Sequence, residues 1–498
     1  MKTRGSRRMG NAVSIGGERE CFFDGELLDP ERSSAELRLH HPVRREAVLV
    51  HDAPWEGSGC NYHNFFFDET WHGVDGGSPE GCYRMYYLGW QCPSKEPGAR
   101  PYHPIVACYA ESRDGIHWTK PDLGLTAYEG DKKNNIVLMT DVNHTGPIDN
   151  FMVFRDDNPA CPPDARYKGV GFATGGLRSY LSSDGLRFRE GDYITKKGTF
   201  DSLNVVFWDA RAGLYRGYVR GFHRSADPRV KNKVRHIAYI ESADFRKWSA
   251  PKLLEFDDGE DIPLYTNVIQ PYFRAPRLLI GFPTRYVERA GWNGSFEELG
   301  GREFRRSRME MEPRYGLAMT DCAFIVSRDG RSFHRFREAF MRPELENGVN
   351  WVYGDCYPAR GFAVTPNTVP GAPDELSLYA CDNHWSARAP SVFCRYTIRM
   401  DGFASLHADG AERIAATKCF FYEGEEMRIN FATSARGSLF VTLIDADGRR
   451  FASCETFGNA LDRKVVFDDP LAVKRSAGKP VVLEFRLRDA DLYSMQFR

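Results

Sequence analysis

Several acidic residues in this chain stand directly ahead of short apolar runs, and those are the residues best placed to do chemistry. Asp201-Ser202 leads into Leu203-Asn-Val-Val-Phe-Trp208, and Asp149 leads into Asn150-Phe-Met-Val-Phe154. Pro54-Trp55-Glu56 precedes Asn61-Tyr-His-Asn-Phe-Phe-Phe67, and Trp351-Val-Tyr-Gly-Asp355 precedes Cys356-Tyr357. Asp261 and Tyr265-Thr-Asn267 precede Val268-Ile-Gln-Pro-Tyr272, and Asp321 precedes Cys322-Ala-Phe-Ile-Val326. Two carboxyl groups on either side of a glycosidic bond suffice to hydrolyse it. One keeps its proton and gives it to the leaving oxygen; the other is ionised and serves as base or nucleophile. Crowding carboxylates raises the pKa of one of them, which separates the two roles.

Asp and Asn also favour turns, so an acid of this kind taken alone is more often a strand-entry turn residue. Their recurrence at one position relative to a strand is what joins them. The catalytic candidates are Asp201, Glu56, Asp355 and Asp149, with Asp201 foremost because nothing else in its segment needs an acid. Candidate substrate contacts are Trp55, Asn204, Arg220, Tyr265, Asn267, Asp321 and Trp351, with Trp385 as a further loop aromatic. Trp55, Trp351 and Trp385 would offer flat faces to a sugar ring. Arg220 would clamp a hydroxyl or carboxylate, or form a surface ion pair. Arg155-Asp156-Asp157 ends its strand and reads as a hairpin instead.

Residues so far apart converge only if the elements repeat, and a short pattern does repeat. It reads Ser112-Arg-Asp114-Gly115-Ile-His-Trp118, then Ser182-Ser-Asp184-Gly185-Leu-Arg-Phe188, then Ser242-Ala-Asp244-Phe-Arg-Lys-Trp248, then Ser327-Arg-Asp329-Gly330-Arg-Ser-Phe333. A shorter fifth copy is Arg399-Met-Asp401-Gly402-Phe403, and the spacing is roughly 60 to 85 residues. Asp-Gly is a tight-turn signal, because Asp bonds nearby backbone and Gly accepts positive φ. Short aromatic and β-branched runs flank each copy, and long helical periodicity is nearly absent. Five such units predict an all-β fold, a five-bladed β-propeller, with blades at 45–120, 135–195, 200–255, 262–340 and 350–410. Residues 1–44 form an N-terminal extension, and 284–316 is an insertion or loop in the fourth unit. Beyond residue 411 the strand runs alternate differently, and 411–498 reads as a C-terminal antiparallel β-sandwich.

Composition narrows the function classes. The chain has 498 residues, 42% of them hydrophobic and 27% charged, with a formal net charge of −1. A near-neutral chain lacks the basic footprint that nucleic acid or a membrane surface requires. No segment has the length of a membrane span. Aromatics reach 13%, which suits a β-rich core and also sugar-stacking platforms. The 12 Cys and 13 His show no metal-ligand spacing. Gly169-Val-Gly171 with Gly175 lacks the strand–turn–helix setting of a dinucleotide site, and no helix follows Glu56-Gly-Ser58-Gly59 as a nucleophile elbow would need. No organic cofactor and no metal site is implied, although a structural cation in the channel is compatible with the pattern. The N-terminal stretch has basic residues and no apolar core of a signal peptide, so the expected location is cytoplasmic.

The repeated Ser-x-Asp-Gly-x-x-Trp/Phe turns, the acids ahead of inner strands and the trailing sandwich resemble the five-bladed propeller glycosidases related to glycoside hydrolase families 32 and 43. Arg395-Tyr-Thr-Ile-Arg-Met-Asp-Gly-Phe403 and the ending Leu487-Arg-Asp-Ala-Asp-Leu-Tyr493-Ser-Met-Gln-Phe497 look like a bacterial family 32-like subgroup. Phe154-Arg155-Asp156-Asp157 echoes that family's Arg-Asp-Pro element. The resemblance implies a furanoside substrate, an oligosaccharide or glycoside partner, a role in polysaccharide degradation and three acids around a funnel. Two rivals stay open. A glycoside phosphorylase would need one acid and a phosphate pocket built by Arg220 with Arg285 or Arg235. A non-catalytic carbohydrate-binding propeller would need neither.

Overall fold

The computed structural model describes residues 12–94, 98–103, 105–139, 148–225, 233–386 and 389–498; residues 1–11, where the expected N-terminal extension begins, lie outside these. The chain divides into two units. One comprises Pro42–Tyr272 and Arg277–Ile398, the other Met1–His41, Phe273–Pro276 and Arg399–Arg498.

Five successive sheets make the larger unit a five-bladed β-propeller, as the recurring turns predict. Blade one runs Asn61–Asp68, Cys82–Gly89, Val106–Ser112 and Trp118–Thr119, with Ile136–Met139 paired beside Val106–Ser112. Blade two runs Asp149–Arg155, Tyr167–Ala173, Gly176–Ser182 and Arg189–Thr195. Blade three runs Val205–Asp209, Leu214–Arg224, Lys233–Ser242 and Lys252–Leu253. Blade four joins Gln270–Tyr272, Ala275–Gly281, Ile325–Ser327 and Ser332–Arg335, with Glu255–Phe256 on its outer edge. Blade five runs Ala363–Thr365, Glu375–Asp382 and Val392–Ile398, and takes its outermost strand, Val43–Val50, from the start of the chain. Residue 45, where the first blade was expected to begin, therefore lies in the last blade, and blade one starts at Asn61. Arg44, Arg45 and Glu46 keep this edge strand charged, while Leu49 reaches the core between blades five and one beside Phe65 and Phe393.

The repeated turn acts as a latch. Asp114 Oδ1 accepts from the backbone of Ile116 and His117, both at 2.8 Å, and Ser112 Oγ accepts from Gly115 N at 2.9 Å. The turn's glycine carbonyl is then gripped by a tyrosine of the preceding blade. Tyr379 Oη donates to Gly115 O (2.5 Å), Tyr86 Oη to Gly185 O (2.8 Å), and Tyr218 Oη to Gly330 O (2.9 Å). Blade two has Val170 in that register, and the turn it faces carries Phe245, at φ 62°, in place of glycine. A second stitch lies at the hairpins. Asp68 binds Arg84 within blade one (3.2 Å) and accepts from Tyr167 Oη of blade two (2.6 Å). Asp156 likewise binds Lys168 and accepts from Tyr215 Oη of blade three at 2.7 Å. The Arg155-Asp156-Asp157 hairpin role thus holds for Asp156.

The fourth unit is interrupted as its sequence suggests. Thr284–Glu288 and Ala318–Cys322 pair as a separate two-stranded ribbon, with helices Gly294–Glu298, Arg302–Met309 and Arg314–Leu317 between them. Arg302–Met309 starts after Gly301 in left-handed backbone, with Glu303 in its first turn and Arg306 and Arg308 in its last, a charge order that suits the helix dipole.

The second unit is built on two long strands, Met427–Ile444 and Val482–Phe497. Their register shifts between Thr433 and Ser438, where a Cβ at Gly437 would meet Asp489 O at 2.3 Å. The bend divides each strand into halves with separate neighbours. Ala404–Ala408 and Asn459–Lys464 flank one pair of halves, and Arg413–Ala416 and Arg450–Ala452 the other. Ile429 and Phe431 from one half and Val441, Leu443 and Phe485 from the other join in one buried cluster, so the halves are the two layers of a β-sandwich. The unit also takes in Glu36–Leu39 and the buried Asp401 of the fifth turn copy, which accepts from Ser494 Oγ at 2.9 Å.

Arg84 is fully buried, lying over Trp71 at 4.2 Å and over Tyr167 at 4.7 Å. Arg84→Ala removes the fully buried cation beside the Asp68 carboxylate, leaving it Arg155 at 3.4 Å, and is expected to cost about 3–5 kcal/mol in urea unfolding. Arg113→Ala, which removes an exposed pair to Asp75, is expected to cost under about 1 kcal/mol. Equal losses in the two variants would contradict the buried stitch.

Candidate functional site

The innermost strands of the propeller begin in unusual backbone. Tyr62 (φ 56°) and Asn150 (φ 59°) sit in bulges that shift the register between Asn61 and Asn64 and between Asp149 and Met152. Val268 (φ 48°) and Cys356 (φ 53°) hold left-handed backbone near the starts of blades four and five. A β-branched residue is strongly disfavoured there, and such strain persists only where the surroundings enforce it. Bulges re-aim the side chains beside them. Tyr62 and Asn150, with Tyr265 and Tyr357 from beside the other two kinks, line a cavity of 490 Å³.

All five blades contribute to its wall. Asn61 and Tyr62 come from blade one and Asp149 from blade two. Blade three supplies Asp201, Arg220 and Arg235, and blade four supplies Tyr265. The helical insertion adds Arg314 and Tyr315, and blade five adds Tyr353, Tyr357, His384 and Trp385. The tyrosines form a nested group: Tyr265 and Tyr357 stack at 5.7 Å, Tyr62 and Tyr357 at 6.2 Å, and Tyr353 meets Tyr265 edge-on at 5.6 Å. The insertion holds this group from behind. Arg305 donates to the carbonyls of Trp351 (2.6 Å) and Asn350 (2.8 Å), and Arg308 to that of Tyr353 (3.3 Å) while lying 4.7 Å over Trp385.

Two carboxyl groups share the cavity. Asp201 is paired with Arg220, its side chain 64% exposed and that of Arg220 only 5%. Asn204 fixes the turn that carries Asp201, donating to Phe200 O (2.8 Å) and Ser202 O (2.7 Å). Asp149 is partly buried, and burial together with the Asp201 carboxylate pushes it up from 3.8 to about 6. Arg220 also lies 4.8 Å over Tyr265, which fixes the plane of its guanidinium. The site therefore holds one carboxyl that keeps its proton into mildly acidic solution and one carboxylate held beside a cation. Burial pushes the His384 imidazole well below its usual range, so it is neutral as it stacks on Trp385. Among the described residues no group of three His, Cys, Asp or Glu could hold a metal ion.

Of the residues expected from sequence, Asp149, Asp201, Arg220 and Tyr265 meet in this cavity, as does Trp385. Glu56 and Asp355 do not line it. Glu56 is fully buried, accepting from Tyr87 Oη, from Lys120 Nζ (2.8 Å) and from Ala53 N (3.0 Å), so it ties its own loop to blade one. Asp355 accepts from Val352 N at 2.7 Å and closes the turn below Tyr353; burial pushes it up to about 7. Asn267 bridges blades, donating to Leu203 O (3.2 Å) and Tyr218 O (3.1 Å). Asn204, as described, is a turn-closing residue. Trp55 donates to Asn135 Oδ1 (2.7 Å), and Trp351 Nε1 to Glu344 O (2.9 Å). Asp321 makes a two-point pair with Arg285, both contacts at 2.6 Å, and Asp261 pairs with His223 at 2.6 Å. In each case a nearby partner, donor or acceptor, claims the polar group.

Sequence reasoning passed over Tyr62, Tyr353, Tyr357 and His384. The first three had a signal, since each stands within a few residues of an inner-strand start, in step with the acids. Arg314 and Tyr315 had none, because an insertion carries no repeat register.

No protein-family model and no curated protein matches the chain. Among solved structures it is similar to an N-acetylgalactosamine deacetylase from F. plautii in complex with blood group B trisaccharide, at 11% identity and TM-score 0.40 over 72% of this chain and 94% of that one. It is similar to the Bombyx mori GH32 β-fructofuranosidase BmSUC1, at 11% identity and TM-score 0.34 over 95% of each chain. A Penicillium chrysogenum α-L-arabinanase complexed with arabinobiose matches at 10% identity and TM-score 0.36, over 72% of this chain and 98% of that one.

The raised Asp149 has a consequence for stability. Its carboxyl ionises less readily folded than unfolded, so the fold loses stability as pH rises from about 4 through about 6. Asp149→Asn removes that loss. The melting temperature of the variant is expected to exceed that of wild type at neutral pH, with the gap closing near pH 4; a gap independent of pH would contradict the shift.

Proposed function

We propose that the propeller is a glycoside hydrolase in which Asp149 is the general acid and Asp201 the second carboxylate. The observation that carries this reading is the pairing itself. Two carboxyl groups from neighbouring blades share one aromatic-walled cavity, and their surroundings set them apart, one pushed up to about 6 and the other beside a guanidinium. The Asp149 carboxyl gives its proton to the glycosidic oxygen as the bond to the anomeric carbon breaks. The Asp201 carboxylate takes a proton from the attacking water, or attacks the anomeric carbon itself. Tyr62, Tyr265, Tyr353 and Tyr357 offer flat apolar faces against which a sugar ring packs. The cavity volume of 490 Å³ falls in the ordinary range for a single small ligand. That size supports cleavage at the end of a short oligosaccharide, and the resemblance to families 32 and 43 supports a furanoside.

A panel of aryl furanosides and pyranosides tests this. On whichever substrate wild type cleaves, Asp201→Asn and Asp149→Asn are each expected to lower kcat by about 10²–10⁴-fold with the fold intact. The wild-type rate is expected to fall as pH rises through about 6, because the acid must carry its proton. The Asp149→Asn variant should lack that limb. Turnover that survives both substitutions would refute the assignment, and turnover that requires added phosphate would make the enzyme a phosphorylase.

A further inference from the structure

A second cavity, of 530 Å³, adjoins the first and shares Phe222, Arg235 and Arg314 with it. The two arginines stand at the junction. The Arg235 guanidinium lies 4.3 Å over the Tyr286 ring and 5.7 Å from that of Tyr265. Arg314 lies 5.2 Å over Tyr315, and both guanidinium groups act on the Tyr286 hydroxyl. Arg220 has its counter-ion in Asp201. Arg235 and Arg314 form no ion pair among the described residues. The Nε of Arg235 is buried without an acceptor. Other charged groups on the second cavity are Lys233, Glu288 and Glu312, all exposed; Glu288 takes the Tyr286 hydroxyl at 3.4 Å.

A guanidinium held over an aromatic ring and without a carboxylate partner is a prepared half of an ion pair. Its fork of N–H donors matches two oxygens of one anion, and the ring beneath it already limits its freedom. A neutral hydroxyl would leave much of that capacity unused. We propose that the ligand of this site is an anionic sugar, and that Arg235 and Arg314 receive its oxyanion at the mouth between the two cavities. The group is a carboxylate, phosphate or sulfate on a ring or on the next residue. The proposal relies on the hydrolase reading only for where the sugar sits.

Calorimetric binding to the full chain separates the two. The probes are methyl glucuronide and methyl galacturonide against methyl glucoside and methyl galactoside, with glucose 6-phosphate and glucose 6-sulfate against glucose. At least one anionic probe is expected to bind about tenfold or more tightly than its neutral parent. That preference should weaken with salt and disappear in the Arg235→Met/Arg314→Met double variant. The winning arm identifies the oxyanion. Arg235→Lys, which keeps the charge and loses the fork, should retain part of the preference, and an unchanged melting curve shows that the fold survives. Equal binding of charged and neutral probes, or a preference that persists in the double variant, overturns the proposal. Asp149-dependent cleavage of neutral aryl glycosides without any anion preference would leave the hydrolase standing and remove this inference. Anion-selective binding without cleavage of any substrate would do the reverse.

Discussion

Pairing of Val43–Val50 with Val392–Ile398 is the constraint on which the propeller depends. A chain that lays down five sheets in succession leaves two loose ends, and unpaired strand edges expose backbone groups that must find partners. Here the first strand of the unit supplies the last strand of the ring. Leu49 and Phe393, from the two ends of the unit, pack with Phe65 of blade one in a single core. Convergence at the centre follows from this closure, because an acid from blade two and a tyrosine from blade five keep a fixed relation only in a closed ring.

Within the ring, different chemistries are given to the two ends of the inner strands. Where these strands end, Asp68 and Asp156 are spent on stitching, each taken by a cation of its own blade and a tyrosine of the next. Where they begin, side-chain amides do the stitching. Asn64 accepts from Val153 N at 2.8 Å, and Asn267 donates to two blade-three carbonyls. Asp149 and Asp201 take no part in this stitching between strands, and Asp201 stays largely exposed beside Arg220. A carboxylate locked by backbone donors, as Glu56 is, has no free oxygen to turn toward a substrate. The helical insertion serves the same end from outside, since Arg305 and Arg308 fix the backbone on which Tyr353 is carried.

The architecture was legible in the sequence because one turn motif recurs in four of the blades and does the same physical work in most of them. Ser112, Asp114 and Gly115 bind one another's backbone in a way that the copies at Ser182 and Ser327 reproduce and the copy at Ser242 keeps with Phe245 for glycine, so four copies mark four blades, while the fifth, at Asp401, belongs to the other unit. The blade-five strand was hidden, since Val43-Arg-Arg-Glu46 looks like the opening of a new unit and only pairing reveals its partner. The site was half legible. Asp149 and Asp201 were found because they occupy the recurrent position, and Glu56 and Asp355 were proposed on the same ground. What separates them is which donors lie within reach, Lys120 and Tyr87 for Glu56 and Val352 N for Asp355, and spacing along a chain does not show that. The strained starts at Tyr62 and Val268 were equally hidden, because neither residue type advertises left-handed backbone.

The seam where Val170 and Phe245 replace the tyrosine and glycine found at three others divides blade two from blade three, and Asp149 and Asp201 stand on its opposite sides. Phe154 meets Phe245 edge-on at 6.0 Å, and Lys168 lies 5.2 Å over the same ring. Hydrogen bonds weaken steeply once geometry departs from its optimum, whereas apolar faces hold one another with little directional preference. The Asp156–Tyr215 stitch still fastens this joint, so only its tyrosine latch is exchanged for aromatic packing. The span between the two carboxyl groups is therefore set across a joint that combines a hydrogen-bonded stitch with apolar packing, where the joints on either side carry the tyrosine latch.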